Sequence, residues 1–220
     1  FGITPYSYDD TYYPFGGQDR PDFFGDERVR QAIAHCIDRD TINNKLLGGA
    51  VETGDAVVPK ENALMTGLDL ATYAYDPTTG ISLLEQVGWV DQDRDPTTPI
   101  TASNVFNVPS GTSFEVELLT SGSSLRSDIA REIAAGLLNC GIQVNITQLS
   151  ASEIFKPGPE GHIFGRKFDL ALLSWKTNGQ LDCLWFMSGE IPSDANYWLG
   201  EKTGGANFYG ISDGEFDTSC

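Results

Sequence analysis

The feature that most constrains this chain is a change of hydrophobic period near its middle. From Phe114 the period is two: Phe114, Val116 and Leu118 alternate with Ser113, Glu115 and Glu117, which predicts a strand with one buried face. Ser127 or Asp128 then opens a helix running to Asn139, with Ile129, Ile133 and Leu137 turned inward and Gly141 closing it. Ile142, Val144 and Ile146 make the next strand. A strand, a helix of about a dozen residues and a strand form a βαβ unit, whose crossover is right-handed and whose strands run parallel. The expected fold class is therefore α/β, with a central, mainly parallel sheet and flanking helices.

The flanking segments extend that scheme. A short helix around Ser152 to Phe155 leads through a loop from Lys156 to Arg166, rich in Pro and Gly, into the run Phe168 to Trp175. That run is nearly continuously apolar, as expected of a central strand covered on both faces. Beyond it, residues 176–220 are polar and Gly-rich with little periodicity, and read as an irregular, loop-rich end. Upstream, Asp26 caps a helix from Glu27 to about Asp38, with Val29, Ile33, Cys36 and Ile37 at i, i+4, i+7 and i+8. A second helix starts at Asp40 or Thr41 and stops at Gly48-Gly49. A third opens on Asp76-Pro77, carries Ile81, Leu84 and Val87 on one stripe and ends at Gly88. Residues 1–24 hold Pro5, Pro14, Pro21 and Gly16-Gly17 among many aromatic side chains, which predicts an extended, aromatic-anchored lead-in.

Charge and motifs exclude several functions. A formal charge of −17 on 220 residues repels phosphate backbones and anionic lipid, so nucleic acid is not a partner. No apolar run approaches the roughly 18 residues that span a bilayer, and no Met precedes Phe1, so the chain reads as a mature or excised piece. Cys36, Cys140, Cys183 and Cys220 lie too far apart for a zinc knuckle. Cys36, on an apolar helix face, reads as a core thiol; Cys183 and Cys220, in polar surroundings, are the better candidates for a bridge, and the pairing stays open. Asp91, Asp93 and Asp95 begin a calcium-loop pattern that fails at Pro96 and Ala102, which favours a solvated acidic turn over an incidental Ca²⁺ site. With no GxSxG, HExxH, P-loop or dinucleotide fingerprint, the sequence assigns no catalytic residue, no metal and no cofactor. A carbohydrate-active or hydrolytic domain using a carboxylate pair is the alternative reading, although nothing singles out a pair among 31 acidic residues.

Position points instead to binding. In an open parallel sheet, ligands bind outside the carboxyl ends of the strands. Two such ends are legible as polar loops: Thr120 to Ser124, and Lys176 to Asp182 behind Trp175. Trp175 is either a core aromatic or a stacking surface, and Asn178 and Asp182 gain interest from where they stand.

Several stretches stand in order along the chain: Phe24 to Arg39, Tyr75-Asp76-Pro77, Leu83-Leu84 with Gly88-Trp89, Gly141 to Val144, Phe168 to Trp175 and Asn207 to Asp217. Together they resemble the extracellular solute-binding proteins of family 5, the dipeptide- and oligopeptide-binding components of ABC transporters. The resemblance implies a type II periplasmic-binding-protein-like lobe over 1–220, the C-terminal lobe of a longer, two-lobed chain whose N-terminal lobe is missing here. It implies a protein outside the cytoplasm, in the periplasm or lipid-anchored on the outer face of the membrane. A peptide or other small polar solute would be captured between the lobes and delivered to an ABC permease. The expected contacts are stacking on Trp175 and polar contacts from Asn178 and Asp182, with Asn207 and Tyr209 nearby. Peptide binders of the family usually carry Asp where Asn178 stands, and a neutral amide cannot make a charge-assisted bond to an ammonium. Either Asp182 replaces it or the solute is not a free-amino peptide.

Overall fold

Helix α1 (Glu27–Cys36) begins where the Asp26 carboxylate accepts the Arg28 N–H at 2.9 Å, satisfying one of the donors that a helix start leaves free. The structure, a computed structural model, describes residues 21–54, 56, 65–174, 183–196, 198 and 204–220. Helix α2 (Arg39–Leu46) is capped by Asp38, which accepts the Thr41 N–H, so it starts ahead of the expected Asp40 or Thr41. That cap also closes α1 at Cys36, short of Asp38. Helix α3 (Pro77–Val87) lies where the sequence places it, between the Asp76 cap and Gly88, whose φ of 113° suits only glycine.

The inward stripe of α3 differs from expectation, because Ile81 is exposed and Gly80, Leu84 and Val87 are buried. The reason is a disulfide between Cys36 and Cys140, packed against Gly80 so closely that a Cβ there would lie 2.4 Å from Cys36 Sγ. Cys36 is in the core as expected, but as half of a cross-link and not as a thiol.

Strand β1 (Trp89–Val90) pairs antiparallel with β2 (Thr101–Ala102), making the acidic loop between them a hairpin connection. The chain then runs through β3 (Glu115–Ser121), α4 (Ser124–Leu138), β4 (Gln143–Leu149), α5 (Ala151–Ile154) and β5 (Leu170–Leu172). β3 pairs in parallel with β4 from Glu115 opposite Gln143 to Ser121 opposite Leu149. On its other side it pairs in parallel with β5, Leu118 opposite Leu170. The sheet order β4-β3-β5 contains the expected βαβ unit.

Three details are corrected. Helix α4 starts at Ser124, because the Ser123 hydroxyl caps it by accepting the Arg126 N–H, and Ser127 is buried one turn further in. The central strand is β3 and not the Phe168 to Trp175 run: among the described strands β5 is short and pairs only with β3. β3 is also apolar on both faces, unlike the one-faced strand its early alternation suggests.

Each face of the sheet has its own core. On one side Val116, Leu118 and Val144 pack with α1, α3 and α4 residues and with an aromatic group in which Trp89 stacks on Phe114 at 4.3 Å and Phe23 on Phe114 at 5.1 Å. Such ring pairs contribute about 0.5–1.5 kcal/mol each beyond their buried area. Phe23 and Phe24 thus anchor the end of the lead-in, whose residues 1–20 lie outside the described residues. On the other side Leu119 packs with Ile154, Ile163, Phe168 and Phe208. The C-terminal region is built of single turns and a short helix the sequence did not foretell, α6 (Gly214–Ser219), capped by Asp213. It is tied by the Cys183–Cys220 disulfide, the bridge favoured from the surroundings of those cysteines. Among the described residues no helix is long and apolar enough to cross a membrane.

Gly80 allows a direct test of this packing. Alanine there gains up to about 1 kcal/mol of helix propensity, but its methyl must displace the Cys36–Cys140 bridge, at a cost of roughly 1–3 kcal/mol. Urea unfolding of Gly80→Ala should show a lower midpoint at unchanged slope; an equal or higher midpoint would contradict the close approach.

Candidate functional site

Because β3, β4 and β5 run parallel, their carboxyl ends Ser121, Leu149 and Leu172 lie along one edge of the sheet. The crossover helix α4 has to begin at the same edge, and its first turn is exposed from Gly122 to Leu125. Polar side chains brace the strand ends to one another. Arg126 donates from one terminal nitrogen to the Ser121 hydroxyl at 2.5 Å and from the other to the Ser174 hydroxyl at 3.1 Å, bridging the ends of β3 and β5. The Ser127 hydroxyl donates to the Ser123 carbonyl and accepts from the Gln148 amide at 2.8 Å, tying β4 to the α4 start. Thr120 donates to the Leu172 carbonyl at 3.2 Å. Deeper in the sheet, the Asp169 carboxylate accepts the Glu117 N–H at 2.8 Å and sets the entry of β5.

A second wall comes from the loop 204–213. Asn207 is fully buried, and its amide donates to the carbonyls of Met187 and Ile211 while its oxygen accepts the Gly210 N–H. Asn207 therefore shapes the loop that carries Tyr209. Tyr209 stacks on Phe186 at 5.5 Å and packs on the same apolar cluster as Leu149 and Leu173, next to the strand ends. Burial pushes the Tyr209 phenol up, so it stays protonated at neutral pH and can donate.

Of the residues expected to bind, Asn207 and Tyr209 thus approach the strand edge from the C-terminal region, Asn207 as a brace and Tyr209 as a half-buried ring. Trp175, Asn178 and Asp182 lie outside the described residues, directly after Ser174 in the chain. Sequence reading missed Arg126 and Gln148. A signal for Arg126 was present: no acidic residue stands three or four positions from it, where a helix neighbour could neutralise it.

Other places are accounted for locally. Among the described residues no group of three or more His, Cys, Asp or Glu could hold a metal. In the acidic hairpin the Asp91 carboxylate accepts the Arg94 N–H, and Asp93 accepts the Asp95 N–H and the Thr98 hydroxyl. Asp95 accepts from Thr97, and these bonds hold Asp93 and Asp95 below the usual carboxylate range. A hollow of about 410 Å³ lined by Asp22, Arg28, Val105 and Phe106 borders none of the strand ends.

The model of the bacterial extracellular solute-binding proteins, family 5 Middle, matches residues 5–189. The oligopeptide-binding protein AppA of Bacillus subtilis is 25% identical over 195 residues, which is 85% of this chain and 33% of AppA. A Brucella ovis chain named for ABC transporter peptide binding is 36% identical over 84 residues, 38% of this chain and 15% of that one. The solved structure of AppA with a nonapeptide superposes with a TM-score of 0.69 at 22% identity, covering 90% of this chain and 35% of AppA. The oligopeptide-binding protein of Thermus thermophilus with a pentapeptide gives 0.70 at 22%, covering 88% and 32%. The chain therefore spans about a third or less of the length of these relatives, and the structural likeness is one of fold.

The bracing role of Asn207 has a measurable cost. Asn207→Ala takes the amide donor from the carbonyls of Met187 and Ile211, at about 0.5–1.5 kcal/mol for each bond lost. The variant should melt at a lower temperature than the wild type, with the Gly210 N–H kept by the backbone carbonyl of residue 207; an unchanged melting temperature would remove the Asn207 side chain from the loop's support.

Proposed function

The chain belongs to the bacterial extracellular solute-binding proteins of family 5, and we propose that it is one lobe of a two-lobed receptor that captures peptides or similar polar solutes for an ABC importer. The observation that carries this is the braced carboxyl edge of three parallel strands, on a chain related in sequence to oligopeptide-binding proteins. The solute lies between this edge and an N-terminal lobe. Contacts from both sides favour the closed form, a hinge motion, and that form is what a membrane permease recognises.

In this reading Trp175 stacks on the solute and Asn178 and Asp182 supply polar contacts from the segment after β5, with Tyr209 closing the side and Asn207 holding it in place. The neutral Asn178 leaves Asp182 as the carboxylate for an ammonium group. The receptor works outside the cytoplasm, as the family description states, and a lipid anchor on the full-length protein would keep it near the permease. Membership is of a family of binding proteins, and the relatives give the carboxylate-pair hydrolase reading no support.

Isothermal titration of the full-length protein with oligopeptides should show saturable binding at micromolar or tighter affinity, about −8 kcal/mol or better. Hydrolysis of those peptides without binding would overturn the reading. Within it, Asp182→Asn should weaken a free-amino peptide about tenfold, or about 1.4 kcal/mol; unchanged affinity would remove Asp182 from the site.

A further inference from the structure

We propose that Asn145 is the attachment point of an N-linked oligosaccharide. Asn145-Ile146-Thr147 is the only Asn-x-Ser/Thr triplet in the chain, and its middle residue is not proline. Such a triplet counts only where its asparagine can be reached, and the structure meets that condition. Asn145 is exposed on β4, and with a period of two Thr147 shares its face while Ile146 turns to the larger core. The acceptor amide and the hydroxyl by which such triplets are recognised therefore lie on one side of one extended segment.

The surroundings leave room for a sugar. Asn145 stands opposite Glu117, on the face that carries Leu119 and Leu149 further along, but outside the apolar cluster that covers those two. One of its amide N–H groups donates to the Glu115 carboxylate at 2.8 Å. A primary amide has two, so replacing the other by a sugar leaves that bond intact. The transfer forms a bond between Asn145 Nδ2 and the anomeric carbon of the oligosaccharide. It breaks the bond from that carbon to the phosphate of a lipid-linked donor; the phosphate leaves with the electron pair, and Nδ2 gives up a proton.

Position fits the rest of the molecule. Asn145 is four residues from Leu149, the carboxyl end of β4, or about 13 Å along the strand, so a glycan leaves the binding edge clear. Among the described strands β4 pairs with β3 alone. A bulky, hydrated group on such an outer strand guards it against pairing with another chain.

The inference rests on the location outside the cytoplasm, where secreted and surface proteins receive such sugars, and not on the identity of the solute. Trypsin, after reduction of the disulfides, releases residues 132–156 as one peptide that contains Asn145. In full-length protein purified from the extracytoplasmic fraction of its own source, that peptide should carry a series of added sugar masses, with electron-transfer fragment ions placing them on Asn145. Asn145→Gln and Thr147→Ala, expressed in the same source, should lose those masses, and Thr147→Ser should keep them. The wild-type fragment spectrum decides the matter even if a variant fails to fold. An unmodified Asn145, or sugar masses that survive in N145Q, would overturn the assignment and leave solute capture untouched. Recovery of the protein from the cytoplasm alone would overturn its location and this inference with it.

Discussion

Everything at the binding edge depends on how β3 is paired. The strand has a parallel partner on each side and apolar packing on both faces, so its backbone groups and side chains are committed to the sheet. Parallel pairing lets the three strands share direction, and all their carboxyl ends emerge together. The crossover from β3 to β4 must also start there. The first turn of α4, with Ser123, Arg126 and Ser127, is brought to the strand ends by topology, and no separate loop is needed to deliver polar groups.

The two cores divide the remaining work. The larger one joins α1, α3 and α4 to the sheet and is cross-linked through Cys36 and Cys140, which fixes the elements farthest apart in sequence. A bridge closing a loop of that length contributes roughly 4–5 kcal/mol in the chain-entropy account, more than any one of the ring pairs around Phe114. The smaller core, on the opposite face, holds the C-terminal region against β3 through Phe208 and brings Tyr209 alongside. A rigid apolar base with polar groups confined to one rim is what a binding surface needs, since the rim can then meet a solute without the base rearranging.

Much of this was legible in the sequence. The period-two run from Phe114, the Asp76-Pro77 start and Gly88 stop of α3, and the Ile142 to Ile146 strand all appear where local patterning places them. What was not legible depended on contacts between distant segments. Gly80 faces inward only because Cys36 and Cys140 meet beneath it, and the apolar Phe168 to Trp175 run could not reveal that its neighbour β3 would take the central place. The start of α4 was misjudged because Ser123 and Ser127 are equally good caps in isolation, and only the part-buried bond from Gln148 decides between them. At the site, loop composition drew attention to Thr120 to Ser124 and to the segment after Trp175. Arg126 was passed over because its significance lies in two serines 5 and 48 positions away.

A crystal structure of the full-length protein with a bound oligopeptide tests the central claim most directly. The account predicts the peptide between the two lobes, against Ser121, Ser174 and the Tyr209 ring at the carboxyl edge of the sheet. A peptide seated instead in the hollow lined by Asp22 and Phe106, or at the Glu115 end of β3, would contradict it.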